Sequence, residues 1–387
     1  MEPKASMLKN KELTSLSELT KSEKRARLRL FRSENVGCVS FFQLLQRHGT
    51  AEEALNHINL YAQQGGRSKP LRLATDQEID QEIQKTTRHG ARFLFWGESL
   101  YPKELSAIYD PPPVIIYKGR EELFQTPKLS IVGARNASLN AKKLAYTFSQ
   151  KIAQEGWSIV SGLARGIDRA AHEGALDHAT VACVAGGIDT IYPSENEDLF
   201  KAIPEKGLLM TEAPFGTKPH ASLFPRRNRL VSGLSQGILV IEAALKSGSL
   251  ITARLGLEHN REIFAIPGSP LDPRSQGANK LIQDGAKLVQ KPEDILESLK
   301  TSPSLYPIQK NPMNHENLSE KISSKEMTRL RHLIITSLSC EPISVDELLR
   351  ECDFSYSIVS YVLLELELAG RIIRHPGNNV SRKMDAV

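Results

Sequence analysis

Between residues 127 and 300 the chain alternates short apolar runs with stretches of helical periodicity, and each run closes on a loop containing Gly, Ser or Pro. The runs are Leu129–Val132, Trp157–Val160, Thr180–Val184, Leu208–Thr211, Gly237–Ile241 and Glu262–Ile266. They are apolar almost throughout rather than at every second position, so strands built from them need cover on both faces. The intervening helices supply it, which predicts a mostly parallel, doubly wound sheet. The first helix, read as 140–154, sets Leu144, Phe148 and Ile152 four residues apart and stops before Gly156. The expected fold class is α/β, with a Rossmann-like domain over 91–300.

A chain of 387 residues exceeds one ordinary core, and the flanks supply further units. Residues 1–24 are polar and read as a disordered extension. From 25 to 90 we expect a small helical domain of the SAM or helix-hairpin kind. Its core would hold Leu28, Leu30 and Phe31, then Phe41, Phe42, Leu44 and Leu45, then Ala54, Leu55 and Ile58. Strand-like runs follow at Ala91–Trp96 and Val114–Tyr117. Residues 301–324, rich in Ser, Asn and Pro, read as a linker. Residues 325–387 have the pattern of a winged helix: helices at 325–337, 345–351 and 355–368, then a hairpin wing.

The formal net charge of +5 admits a polyanionic partner without requiring one. The four cysteines are scattered and never form a Cys-x-x-Cys, so neither a zinc site nor a disulfide framework is expected. No apolar run approaches the roughly 18 residues that span a bilayer. Behind the opening Met-Glu-Pro-Lys there is no hydrophobic segment. The expected location is cytoplasmic, without membrane contact.

Charge is distributed unevenly. Between Glu212 and Glu242 no acidic residue occurs, while Lys218, Arg226, Arg227 and Arg229 fall inside the gap. The loop Ser247-Gly248-Ser249 then opens a helix, whose free N–H groups favour an anion. Guanidinium forks beside such a turn make a phosphate site. Arg135 opens the first loop of the sheet, Arg165 and Arg169 flank the second, and Gly186-Gly187 lets backbone approach a ligand in the third. Tyr192 and Phe224 add aromatic faces. Phosphate grips interleaved with aromatics suit single-stranded nucleic acid, whose bases stack while arginines follow the backbone.

The common enzyme readings fit poorly. The first turn reads Gly133-Ala-Arg-Asn-Ala-Ser138 rather than G-x-G-x-x-G, and the second strand ends on Ser161-Gly162 where a dinucleotide binder needs an acid. No P-loop motif occurs. His172 and His178 read as structural or surface residues. Glu212 and Glu242 end strands, and a nucleotide or phosphoribosyl hydrolase using Glu242 stays open as the alternative. A duplex-reading regulator that senses a phosphorylated ligand is a third class.

Taken in order, Gly133-Ala-Arg135, Ser161-Gly-Leu-Ala-Arg-Gly-Ile-Asp168, Gly187-Ile-Asp-Thr-Ile-Tyr-Pro193, Arg227-Asn-Arg229, Glu242-Ala, Ser247-Gly-Ser-Leu-Ile-Thr-Ala253, Ala265-Ile-Pro-Gly268 and Gly277-Ala-Asn-Lys280 resemble the motifs of the DNA-processing protein A (DprA/Smf) family. The helical N-terminal segment and the winged helix look like that family's flanking domains. The resemblance implies a non-enzymatic, cofactor-free protein that binds incoming single-stranded DNA during natural transformation. It implies that the protein protects the strand, helps to load RecA and forms a homodimer. Carried onto this chain, Arg135, Arg227 and Arg229 grip phosphates, while Gly133, Gly162, Gly187, Gly248 and Ser249 offer backbone donors. Arg165, Tyr192, Phe224, Asn228, Ser247 and Lys280 complete the expected site. Ala134 stands where the family often has Ser, which removes one hydroxyl donor.

In a duplex-reading winged helix the recognition helix carries basic or amide side chains. Here residues 355–368 have no basic residue and two glutamates, and from 325 to 387 eight Lys/Arg face nine Asp/Glu, a net of −1. Protein–protein contact is the expected role.

Overall fold

The computed structural model describes residues 19–301 and 323–383. The expected extension lies largely outside these residues, and the expected linker almost wholly so.

Four helices open the chain: α1 (Lys21–Arg32), α2 (Cys38–His48), α3 (Ala51–Gln64) and α4 (Asp76–Arg88). Thr20, Thr50 and Thr75 cap α1, α3 and α4, each hydroxyl accepting from the N–H three residues on at 3.2 Å. The start of α1 at Lys21 falls inside the segment read as extension. Leu28, Leu30, Phe41, Leu44, Ala54 and Ile58 are buried together at the centre of the bundle.

The sheet domain follows: β1 (Arg92–Phe95), α5 (Lys103–Ser106), β2 (Val114–Gly119), β3 (Lys128–Gly133), α6 (Leu139–Gln154), β4 (Ser158–Ser161), α7 (Ile167–Ala175), β5 (Thr180–Cys183), α8 (Glu197–Lys206), β6 (Leu208–Thr211), α9 (Leu223–Leu234), β7 (Gly237–Ile241), α10 (Gly248–Glu258), β8 (Glu262–Ala265), α11 (Gln276–Gln283), β9 (Lys287–Leu288) and α12 (Pro292–Thr301). The strand order is β1-β2-β6-β5-β4-β3-β7-β8-β9. From β6 to β9 all neighbours are parallel, while β2 joins β6, and β1 joins β2, antiparallel. The order runs away from β3 in both directions, so a topological switch point lies between β3 and β7.

Alternation along the strands shows why both faces are apolar. In β3, Leu129 and Ile131 pack with Phe148 and Ile152 of α6, whereas Val132 packs with Leu230, Val231 and Leu234 of α9. Ser130, between them, is buried with its hydroxyl donating to the Val231 carbonyl at 2.8 Å. The buried stripe of α6 differs from the expected one. Its buried stripe is Ala141, Ala145, Phe148 and Ile152, and Leu144 is 37% exposed. Close packing on α7 selects small residues there: a Cβ on Gly174 would lie 2.2 Å from the Tyr146 carbonyl oxygen.

The third unit comprises α13 (Ser324–Ser337), β10 (Ile343–Ser344), α14 (Val345–Arg350), α15 (Tyr356–Leu368), β11 (Ile372–His375) and β12 (Asn379–Arg382), a winged helix with sheet order β10-β12-β11. Its α15, the position of a recognition helix, is not presented to solvent. Val359, Val362, Leu363 and Leu366 face the module's own core, while Leu364 and Leu368 enter the core of the N-terminal bundle. Glu365 and Glu367 are buried and paired with Arg331 at 2.8 Å and Arg374 at 3.0 Å. This helix thus packs on the N-terminal bundle of its own chain.

Candidate nucleic-acid interface

In open parallel sheets ligands bind in the crevice outside the carboxyl ends of the strands at a switch point, and a cleft lies there. It has two adjoining chambers of about 800 and 340 Å³ that share Arg135, Gly162, Ala164, Phe224 and Arg227. The larger is also lined by Gly133, Asn136, Asn228, Lys246, Ser247, Gly248, Ser249 and Arg274. The smaller is lined by Arg165, Gly186, Tyr192 and Glu195 among others.

The basic segment is a helix from Leu223 onward, with Pro225 in its first turn, where the missing N–H costs little. Helical spacing sorts its cations. Phe224 and Arg227, three apart, face the cleft; Arg226 and Arg229 are turned away from it. Arg227 Cζ sits 5.9 Å from the Phe224 ring centroid, Arg135 Cζ 5.5 Å from it, and the Tyr192 ring 5.6 Å. Phe224 thus meets an aromatic ring and two guanidiniums at once. Arg135 is exposed and forms no ion pair among the described residues.

Arg229 corrects the expectation most clearly. It is 1% exposed, and its guanidinium is ion-paired to Glu212, lies 3.4 Å from Asp110 and 3.2 Å from Cys38 Sγ, and donates to the Asp110 carbonyl. Two residues along a helix is about 200° of rotation, so Arg227 and Arg229 cannot share a ligand. Arg229 ties α9 to the N-terminal bundle through Cys38 of α2. Burial pushes the Cys38 thiol up to about 12, so it stays protonated. Burial likewise raises Asp110 to about 6 against the pull of Arg229.

Asp168 holds the second loop. Its carboxylate accepts from the N–H groups of Gly162 and Ala164 at 3.2 and 3.3 Å and faces Arg227 at 3.9 Å. Burial raises its pKa, opposed chiefly by Arg227. Gly162 is needed for a reason the sequence reading did not supply: a Cβ there would lie 1.2 Å from Arg227 Nη1. The glycine makes room for the arginine rather than for a ligand. Gly248, by contrast, has open space where a Cβ would be. It starts α10, whose N-cap residue Ser247 makes no side-chain cap bond, leaving first-turn N–H groups facing the cleft.

Of the remaining expected residues, Arg165 lines the smaller chamber and pairs with Glu195 at 3.2 Å. Asn228 and Ser249 line the larger one. Gly187 packs against the carbonyl of Pro214, and Lys280 pairs with Asp284 on α11; neither lines either chamber. Sequence reading missed Asn136, Lys246 and Arg274. Each sits in a loop after a parallel strand, next to a motif already noted, and that position was the available signal.

Glu242 is committed elsewhere. Held at φ 48°, its carboxylate accepts from the Ser138 N–H at 2.9 Å and from the Ser138 hydroxyl at 2.6 Å. It braces the N-cap of α6. His172 is buried, with Nδ1 2.7 Å from the Thr180 hydroxyl, and burial, reinforced by Arg227, pushes its pKa down to about 3. Among the described residues no group of His, Cys, Asp and Glu has the arrangement to hold a metal ion.

A family model described as DNA recombination-mediator protein A matches residues 92–300, and companion models for the DprA-like N-terminal HHH domain and the DprA winged helix domain match 21–84 and 321–378. This chain belongs to the DprA family. Protein Smf of Synechocystis is 33% identical over 78% of this chain and 83% of its own length. DNA processing protein DprA of Bacillus subtilis is 42% identical over 58% of this chain and 80% of its own. Among solved structures, DprA of Streptococcus pneumoniae superposes with a TM-score of 0.62 at 33% identity, covering 73% of this chain and 98% of that one. DNA processing protein A of Helicobacter pylori, whose single-stranded DNA binding mode that structure addresses, gives 0.51 at 31% identity, covering 54% and 95%. The DprA/Smf resemblance in the motifs is thus confirmed, and the protein is a DNA-processing recombination mediator by family. No helix among the described residues is long and apolar enough to cross a membrane.

Proposed function

We propose that this protein is a non-enzymatic mediator that binds single-stranded DNA in the cleft between β3 and β7, protects incoming strands during natural transformation and helps to load RecA, acting as a cytoplasmic homodimer. The observation that carries the reading is the Phe224 ring at a switch point, near Tyr192 on the one hand and the guanidiniums of Arg135 and Arg227 on the other. Phosphates fit Arg135, Lys246 and the open start of α10, and bases fit the aromatic pair, a combination that tolerates any sequence. The relative from Helicobacter pylori supports the choice of ligand. The RecA and homodimer parts rest on family membership.

Glu242, the group the hydrolase alternative needs, accepts two hydrogen bonds from Ser138, which supports a structural role for it and so the binding reading. Fluorescence anisotropy of a labelled oligo-dT, competed by duplex of equal length across a salt series, tests the proposal. Salt-sensitive binding that duplex fails to displace is expected. Equal competition by duplex would contradict it.

A further inference from the structure

A second groove lies on the outer surface between α6 and α7, about 490 Å³ in volume. Leu139, Lys142, Lys143 and Tyr146 form one wall, and Gly166 and Arg169 lie on the other. The wall residues follow the helical repeat of i, i+3, i+4 and i+7, so they share one stripe of α6, beside the buried stripe of Ala141, Ala145 and Phe148. A solvent-facing stripe is normally polar, yet Leu139 is 77% exposed and Tyr146 42%. Lys142 and Lys143 have no acidic partner within ion-pair distance among the described residues, whereas Arg169 is occupied by Glu173 and Asp198.

The groove begins where the cleft ends. Leu139 follows Ser138, the residue braced by Glu242. Gly166 sits against the carbonyls of Ala134 and Arg135, so the loop carrying Arg135 is the ridge between groove and cleft. An exposed aromatic with two free cations, one turn from a phosphate-binding cleft, suits the next stretch of the same polymer. We propose that single-stranded DNA leaving the cleft crosses this ridge and runs along the first half of α6, a base stacking on Tyr146 and phosphates meeting Lys142 and Lys143. The inference rests on the cleft being the primary site.

The test measures affinity for oligo-dT from about 6 to about 20 nucleotides, lengths spanning the usual single-strand site sizes. Tyr146→Ala should weaken binding of the longest oligonucleotide about tenfold and leave the shortest unchanged, while Tyr146→Phe keeps wild-type affinity at every length. Lys142→Ala with Lys143→Ala should flatten the salt slope by about 1.4 on the long oligonucleotide only. Unchanged long-strand binding in both variants overturns the proposal, as does an equal loss at all lengths. Failure of the cleft itself is separable, because Arg135→Ala would then leave even the short oligonucleotide unaffected.

Discussion

At the scale of single residues, two arginines two positions apart on α9 have opposite assignments. Arg135 and Arg227 face the cleft, so Arg135→Ala should weaken strand binding irrespective of sequence and flatten the salt dependence by about 0.7 for the phosphate contact removed. Arg229 is sealed among Glu212, Asp110 and Cys38. Removing it strands buried carboxylates, so Arg229→Ala should cost roughly 3–5 kcal/mol in urea unfolding. Binding by the fraction that remains folded should be little changed. Buried histidines set an acid limit. His172 and His259 are held neutral, chiefly by burial, with pKa values pushed down to about 3 from 6.5. The unfolded chain therefore binds protons that the folded one refuses, and the stability present above pH 6.5 is lost as pH falls toward 3. At pH 5.5 each histidine should cost about 1.4 kcal/mol. Urea midpoints measured from pH 7.5 to 5.5 should fall, and a flat profile would contradict the burial of both rings as neutral groups.

At the scale of elements, the decisive one is α9. Its apolar residues Leu230, Val231 and Leu234 fill the space over β3 and β7, and its first turns distribute cations to cleft and domain junction. Gly162→Ala should act through this helix. The added methyl group collides with the Arg227 guanidinium, so binding should fall as it does in Arg227→Ala, and the double variant should lose no more than either single one. Full additivity in that cycle would contradict the contact. The strands of the parallel core were legible in the sequence because continuous apolar runs bounded by Gly and Ser leave few alternatives. The helical nature of 223–234 was not, since Pro225 and the run of arginines imitate a loop and the apolar stripe begins only at Leu230. Leu144 was misplaced for a related reason. Leu144 lies at the edge of the stripe that holds Phe148 and Ile152, and only the packing of α6 decides how far the buried face extends. Cleft residues in the glycine motifs could be found from sequence, whereas Lys246 and Arg274 have no pattern of their own and meet the site only when the loops converge.

At the scale of the whole molecule, the winged helix is docked rather than displayed. Gln43 and Gln64 of the bundle pair with Ser360 and Tyr361 of α15, and Arg47 lies 4.5 Å from the Tyr361 ring centroid. A helix buried in this way cannot enter a major groove, which accounts for its two glutamates and lack of cations. The proposed homodimer has the β9 edge of the sheet available, where Leu288 is 49% exposed. Leu288→Asp should shift sedimentation toward monomer, and an unchanged dimer would place the interface elsewhere. The strand is proposed to lie in the cleft between β3 and β7. Photo-crosslinking of a bromodeoxyuridine-substituted single strand, with mass-spectrometric mapping of the adducts, tests it most directly. Adducts should concentrate at Tyr192 and Phe224; adducts confined to the N-terminal bundle or the winged helix would contradict the account.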